Sequence, residues 1–327
     1  MTPATLKSPK VLVLGGTGFV GRSVCAALAE RSASAPIVVP TRRQRSADHL
    51  RSLPTVQVLQ ADVHDDAQLA ALVADCGVVI NLIAILHGSP SAFHEVHVHL
   101  AARIAKACAV TGVRRVIHVS ALGVGSFLGQ HPPSNYLRSK TEGEAALCTP
   151  AVDATLLRPS VIFGEDDRFM NVFAELQALA PVMPLAGSGA RFQPVWVDDV
   201  ARAIVQAVDD PSTIGKTFEC TGPTEYTLSE LVRLAGRWSG HERPQIPLPE
   251  FVGQLQAFAM ECLPGQPLMS RDNIASMRVP NVASGKVPGL AALGITPTAL
   301  EAVAPGYLGS QQESARLNRW RAAARRQ

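Results

Sequence analysis

Aromatic and charged residues are both scarce in this chain: Phe, Trp and Tyr make up 5% of it and Asp, Glu, Lys and Arg 17%, against 47% apolar residues. So little charge excludes a disordered polyelectrolyte, and 327 residues of this composition can bury a large core as one big α/β unit or as two domains. Long apolar runs are missing too. The longest, Val78 to Leu86, contains Asn81 and falls short of the ~18 residues that a membrane span needs, so it reads as a buried strand. Only Met1 to Pro9 precede the first β-rich run, which leaves no room for the apolar part of a signal peptide. Cys25, Cys76, Cys108, Cys148, Cys220 and Cys262 form no Cys-x-x-Cys pair, which argues against a zinc site or a disulfide framework and fits a reducing compartment. The expected location is cytoplasmic, with peripheral contact at the inner membrane as a second reading.

Charge is unevenly placed. Arg316, Arg319, Arg321, Arg325 and Arg326 put five positive charges and no acid into the last fourteen residues, so the net +3 of the whole chain leaves the body near −2. A body of that charge is no nucleic-acid binder. The tail reads either as a solvated terminus or as a contact for anionic lipid or an acidic partner.

Short β-rich runs at Val11–Leu14, Ile37–Thr41, Val56–Leu59, Val78–Ile83, Val116–Ser120 and Ala154–Leu157 alternate with Ala-rich helical stretches at 23–29, 68–73, 100–110 and 141–147. This alternation predicts an α/β fold, a Rossmann-type doubly wound parallel sheet with a smaller interleaved C-terminal lobe. Residues 1–165 are expected to form the first domain, with 192–222 returning to it; 166–191 and 223–312 form the substrate or partner lobe, and 313–327 the basic tail. The stretch from Asn281 to Ala304 carries Gly and Pro without periodicity. Phe251 to Met260 has a helical apolar face that reads as core packing, or, if exposed, as a surface for a membrane, a partner or an isoprenoid.

Gly15-Gly16-Thr17-Gly18-Phe19-Val20-Gly21 follows the first strand directly and opens the first helix. Glycines there let the backbone turn tightly and bring a pyrophosphate against the amides of a helix N-terminus, so the turn marks a dinucleotide site. The second strand ends in Thr41-Arg42-Arg43, where a carboxylate would serve the ribose hydroxyl of NAD. Two guanidinium groups suit a 2′-phosphate instead, so NADP(H) is expected in preference to NAD(H). Asp62 either accepts from the adenine amino group or caps the helix beginning near Asp65.

Tyr136 and Lys140 stand one helical turn apart, with both side chains leaving the same face, and a fixed ammonium favours the ionised phenol. Such a pair can move a proton near neutral pH. His94, His97 and His99 do not suit a metal, because helical spacing puts 94 and 97 on one face while 99 and Glu95 point elsewhere. Asp198 and Asp199, ahead of the apolar run Val200 to Val208, read as helix-capping residues before they read as acid and base.

The glycine turn, Tyr136 with Lys140, Arg158-Pro159-Ser160-Val161-Ile162-Phe163-Gly164 and Val197-Asp198-Asp199-Val200 together resemble an extended or atypical short-chain dehydrogenase/reductase. Gly164 to Asn171, Tyr136 to Lys140, Ser270-Arg271-Asp272 and Pro288-Gly289-Leu290 are similar, within that superfamily, to the NADPH-binding accessory subunit of mitochondrial respiratory complex I and its bacterial relatives, over roughly residues 10 to 305. The resemblance implies that Tyr136 is a general acid/base and that Lys140 holds the nicotinamide ribose and lowers the Tyr pKa. It adds Val63, Ala84, Ser120 and Pro159 to the dinucleotide contacts. The serine that would orient a substrate carbonyl falls at Ala121, and Ser120, its strand neighbour, faces the other way unless the loop bends.

Two functions follow from the resemblance. One is an NAD(P)H-binding protein of the accessory-subunit type, tied to a quinone-linked or respiratory system with little or no turnover, whose partners would be a respiratory complex or a quinone or isoprenoid. The other is an NADP-dependent oxidoreductase or epimerase that acts on a carbonyl or alcohol through Tyr136 and Lys140. Arg168 and Arg191 are the candidates for a sugar-nucleotide pocket in the second case.

Overall fold

The structure, a computed structural model, describes residues 10–31, 35–125, 132–262, 265 and 267–309. The Arg-rich tail lies outside the described residues. In chain order the elements begin with β1 (Val11–Leu14), α1 (Phe19–Arg31), β2 (Ile37–Thr41), β3 (Val56–Gln60), α2 (Asp66–Ala74), β4 (Val78–Asn81) and α3 (Pro90–Phe93). A π-helical turn (His94–His99) leads into α4 (Leu100–Thr111), followed by β5 (Arg115–Val119), α5 (Asn135–Leu147) and β6 (Asp153–Pro159). Next come β7 (Ile162–Phe163), α6 (Met170–Leu179), β8 (Met183–Ala186), β9 (Arg191–Phe192), β10 (Val195–Trp196), α7 (Val197–Asp209) and β11 (Thr217–Cys220). The last are β12 (Tyr226–Thr227), α8 (Leu228–Ser239), β13 (Gln245–Leu248), α9 (Glu250–Glu261), α10 (Arg271–Ser276) and a helical stretch at 300–309.

The chain divides into two compact units, the first comprising Met1–Pro159, Val197–Cys220 and Ser284–Ile295 and the second Ser160–Trp196, Thr221–Ala283 and Thr296–Gln327. In the first, seven strands pair in the order β3-β2-β1-β4-β5-β6-β11, every neighbouring pair parallel. β1, β2 and β4 are buried at every position, which is why they read as continuous β-branched runs instead of alternating ones. Helices α1 and α7 pack together, and α2, α4 and α5 form another contiguous group, giving the doubly wound layering that the alternating pattern predicts. Leu12, Leu14, Val79 and Val116 of the sheet meet Leu69, Leu100 and Ile104 of α2 and α4 in the core.

Local chemistry places the helix ends. The Asp65 carboxylate accepts from the Gln68 N–H at 2.9 Å and caps α2, so the cap is Asp65 and not Asp62. Ser134 caps α5 by accepting from the Leu137 N–H at 3.2 Å. The strand expected at Val78–Ile83 stops at Asn81, whose side-chain oxygen accepts the Ile83 N–H at 3.2 Å and turns the chain out of the ladder.

The second unit holds three two-stranded sheets, β7 with β10, β9 with β12 and β8 with β13. Its core brings Phe163, Met170 and Phe192 together with Leu228, Leu231, Leu300 and Leu308. Asp167 organises the Gly164 to Asn171 segment: its carboxylate accepts from the N–H groups of Gly164, Phe169 and Asn171 at 3.0, 2.8 and 3.2 Å and from the Tyr307 hydroxyl at 2.8 Å. Asn281 ties down the aperiodic region, its side-chain oxygen accepting from the Ser160 hydroxyl at 2.7 Å and from the Val161 N–H at 3.0 Å.

Because Asp167 serves four donors from a buried position, Asp167→Ala is expected to lower stability by about 3 kcal/mol or more, and Tyr307→Phe by about 1 kcal/mol. Urea unfolding of the two variants beside the unaltered chain measures both, and equal losses would show that the Tyr307 bond alone matters.

Candidate functional site

All strands of the first unit's sheet run the same way, so the residues that follow their C-terminal ends share one edge: Gly15 after β1, Arg42 after β2, Asp62 after β3, Ile83 and Ala84 after β4, Ser120 after β5, with Pro159 closing β6. The strand order reverses between β1 and β4, the point where doubly wound sheets take their ligands. There Gly15, at φ +85°, turns the chain so tightly that a Cβ on it would stand 3.2 Å from Ile83. Gly21 has a packing reason of its own: a Cβ would lie 2.3 Å from the Gly15 carbonyl oxygen. The first helical bond, from the Arg22 N–H to the Gly18 carbonyl at 3.0 Å, leaves the amides of Phe19, Val20 and Gly21 in the anion-favouring first turn beside Thr17. A backbone cradle of this kind fits a pyrophosphate.

Arg42 and Arg43 are exposed beyond β2. Arg42 makes no ion pair among the described residues, while the Thr41 hydroxyl donates to the Arg43 carbonyl at 3.1 Å and shapes the turn. The Asp62 carboxylate accepts from the His64 N–H at 3.0 Å in a local turn, and Val63 beside it is buried in the core.

Tyr136 and Lys140 leave one face of α5. The Lys140 ammonium is buried, with 2% of the residue exposed, and donates to the Val119 carbonyl at 2.9 Å. Burial lowers its pKa to about 8, an effect opposed by the Glu144 carboxylate. Glu144 is itself held in a two-pronged pair with Arg158, whose Nε lies 2.9 Å from Oε1. Burial pushes the Tyr136 hydroxyl up to about 12.

Beneath this pair lie two histidines that sequence reasoning did not place. The His97 Nε2 accepts from the Ile85 N–H at 3.1 Å, so the imidazole is neutral with its proton on Nδ1, which donates to the Ser139 hydroxyl at 2.8 Å. The Ser139 hydroxyl donates in turn to the Tyr136 carbonyl at 2.9 Å, and the His97 ring meets the Tyr136 ring edge-on at 5.6 Å. This chain ties the segment after β4 to the turn of α5 that carries Tyr136. Burial, reinforced by Lys140, holds the His97 pKa at about 3. His118 is fully neutral for the same first reason. Its Nδ1 faces the Asn81 amide at 3.1 Å, and because Asn81 offers its oxygen to Ile83 it must offer its NH2 to His118. The His118 proton therefore sits on Nε2. That atom and the Ser120 hydroxyl are buried without a hydrogen-bond partner among the described residues. Ser120 lies just beyond the end of β5 at Val119, yet its N–H still donates to the Leu157 carbonyl at 2.7 Å and carries on the ladder to β6. The signal available in the sequence was Asn81 and His118, polar residues that interrupt apolar strands and pair directly across β4 and β5.

The histidine spacing also needs correction. In a π-helical turn, positions five apart share a face, and the His94 and His99 rings meet at 4.5 Å while His97 turns inward. Glu95 faces His99, at 2.6 Å, and Arg103, at 3.1 Å. Asp198 and Asp199 sit inside the first turn of α7, where acids favour the helix dipole, instead of at its cap; Asp199 is fully buried and pairs with Arg202. Arg191 is engaged by Glu225.

The parallel sheet, the glycine turn at its switch point and the polar groups at the strand ends define a dinucleotide-binding protein of the Rossmann class. The NAD(P)H-binding family matches residues 15–211, and the chain belongs to it, in the branch that includes the complex I subunit described next. It is 35% identical over 296 residues to the mitochondrial NADH dehydrogenase [ubiquinone] 1 alpha subcomplex subunit 9 of Mus musculus, covering 88% of this chain and 77% of that one. It is 27% identical over 242 residues to the ceramide reductase of Caulobacter vibrioides, covering 73% and 74%. An NADPH-dependent quinone oxidoreductase from Escherichia coli, solved with NADPH, shares the fold at a TM-score of 0.71 and 18% identity over 93% of this chain and 99% of that one. Among the described residues no helix is long and apolar enough to cross a membrane.

The neutral His97 has a consequence for stability. Between pH 6.5 and about 3 the unfolded chain binds a proton that the folded chain refuses, so stability falls as pH drops through that window. His97 alone is expected to remove about 1.4 kcal/mol between roughly pH 7.5 and pH 5.5. His97→Asn should flatten that slope by a similar amount in urea unfolding at the two pH values, and an unchanged slope would assign it to other groups.

Proposed function

We propose that this protein holds NADP(H) as a bound, slowly exchanging cofactor in the manner of the complex I accessory subunit, with little or no turnover, at the periphery of a respiratory or quinone-linked system. The observation that carries the reading is the state of the two residues that would do chemistry. Burial raises the Tyr136 hydroxyl, and the Lys140 ammonium, fixed by one bond to the Val119 carbonyl, keeps two further N–H groups that a ribose can take, an arrangement that supports holding a nucleotide. Arg42 and Arg43 take the 2′-phosphate, Gly15, Thr17, Gly18 and the first turn of α1 take the pyrophosphate, and Asp62 takes the adenine. Val63, Ala84 and Pro159 line the path. Ser120 and His118 supply the hydroxyl and the N–H that a carboxamide needs. A bound nicotinamide supplies hydride-transfer capacity at its ring; the residues named above hold it. The mouse relative is named as a subunit of an NADH dehydrogenase that uses ubiquinone, which supports the respiratory setting.

A working reductase is the second reading. It is favoured by the buried Ser120 hydroxyl, which stands ready to orient a substrate carbonyl in place of the serine missing at Ala121, and by the likeness to a ceramide reductase.

Fluorescence titration of purified protein tests cofactor choice: Arg42→Ala with Arg43→Ala should weaken NADPH by about tenfold or more and leave NADH within about twofold. Equal loss for both nucleotides would remove the case for NADP preference. If NADPH is consumed with quinones, prenylated phenols or sugar nucleotides and Tyr136→Phe abolishes that consumption, the holding role gives way to the reductase.

A further inference from the structure

Helix α9 is built inside out. Its buried positions are small, Gly253 and Ala257, whereas Phe251, Leu255 and Phe258 are 75, 67 and 48% exposed. The small residues are required by the packing: a Cβ on Gly253 would stand 2.6 Å from the Cβ of Ala186 in β8, and Ala257 packs with Ala186 and Ile274. Seated that closely, the helix presents its bulk outward. Positions 251, 255 and 258 are spaced by four and three residues and fall on one face.

From Phe251 to Cys262 every exposed residue is apolar: Phe251, Leu255, Phe258, Ala259 and Cys262. Leu268 extends the apolar surface of the same unit at 55% exposed. Between Glu250 and Glu261 the polar residues of α9 are Gln254 and Gln256, both partly buried, so no fully exposed polar side chain stands among Phe251, Leu255 and Phe258 to set a register for a protein partner, whose docking is normally fixed by polar groups around the apolar centre. A fluid apolar phase needs no register. Charge points the same way. The acids of α9, Glu250 and Glu261, are each paired with an arginine, Arg278 and Arg271, and the Arg271 guanidinium lies 5.1 Å over the Phe258 ring. The face therefore repels no anion. The chain's last fourteen residues, 314–327, carry five arginines and no acid.

We infer that the outer face of α9 docks on a lipid bilayer, with Phe251, Leu255 and Phe258 entering the headgroup boundary and the arginine-rich terminus adding attraction to anionic lipid. One shallow apolar face anchors only marginally, and a polybasic segment is the kind of second signal that makes such binding stable.

Flotation of the full chain with vesicles of phosphatidylcholine alone, and of phosphatidylcholine with about 30% phosphatidylglycerol, tests the inference. The anionic vesicles are expected to carry the protein, less so at high salt. Phe251→Ser, Leu255→Ser and Phe258→Ser combined should reduce the bound fraction about tenfold without lowering the melting temperature, and removal of residues 313–327 should reduce binding to anionic vesicles alone. The inference is overturned if no vesicle carries the chain, or if the triple variant floats as well as the unaltered protein. It is equally overturned if lipid-free protein self-associates and the triple variant does not, since a second copy then covers the face. NADPH titration of the triple variant separates this surface from the nucleotide site, because an unchanged affinity leaves the cofactor reading standing whatever the vesicles show.

Discussion

The parallel register of β1 with β2 on one side and β4 on the other decides where the candidate dinucleotide-binding residues stand. With every strand of the sheet pointing the same way, segments far apart in sequence, from Gly15 to Pro159, emerge at a single edge. The reversal of strand order between β1 and β4 opens that edge beside the glycine turn. Glycine is favoured at 15 by its left-handed φ of +85°, and Ile83 from the neighbouring strand end leaves a Cβ little room there. Helix α1 then starts where its first amides face outward, and its close seat on the turn depends on Gly21.

Burial governs the chemistry of the same edge. Lys140 reaches the sheet only by entering a poorly solvated space, which lowers its affinity for a proton and raises the cost of ionising Tyr136. The same space keeps His97 and His118 neutral, and neutrality is what gives them defined hydrogen-bond directions. His97 accepts from one segment and donates to another, so it joins the exit of β4 to α5. A charged imidazole has no acceptor to offer Ile85. Electrostatics and geometry are therefore coupled here: the group that positions Tyr136 works because it carries no charge.

Much of this was legible. The β-rich runs located six of the seven sheet strands to within two residues, since a strand buried on both faces has no alternative to apolar residues, whereas β11, with Glu219 among its four residues, was not read. The glycine turn, the two arginines after β2 and the spacing of Tyr136 and Lys140 were legible because each is a local pattern with a local cause. His97 was misread, because the spacing argument assumed 3.6 residues per turn and the segment His94–His99 forms a wider π turn. Asn81, Ser139 and Glu144 were missed because their partners lie 37, 42 and 14 residues away. Asp65 displaced Asp62 as the helix cap by three positions, a distance within which either carboxylate is a good cap by composition.

By itself the sequence determined the class of fold, the presence of a dinucleotide turn and the family, since these rest on periodicity and on short contiguous motifs whose physical requirements are met by neighbouring residues. Tertiary structure decided the protonation of His97, the raised Tyr136 hydroxyl, the orphaned hydroxyl of Ser120 and the outward turn of Phe251, Leu255 and Phe258. Each depends on how much water is excluded and on which remote atoms replace it. Exclusion of that kind is set by the packing of distant segments and has no local signature in the chain.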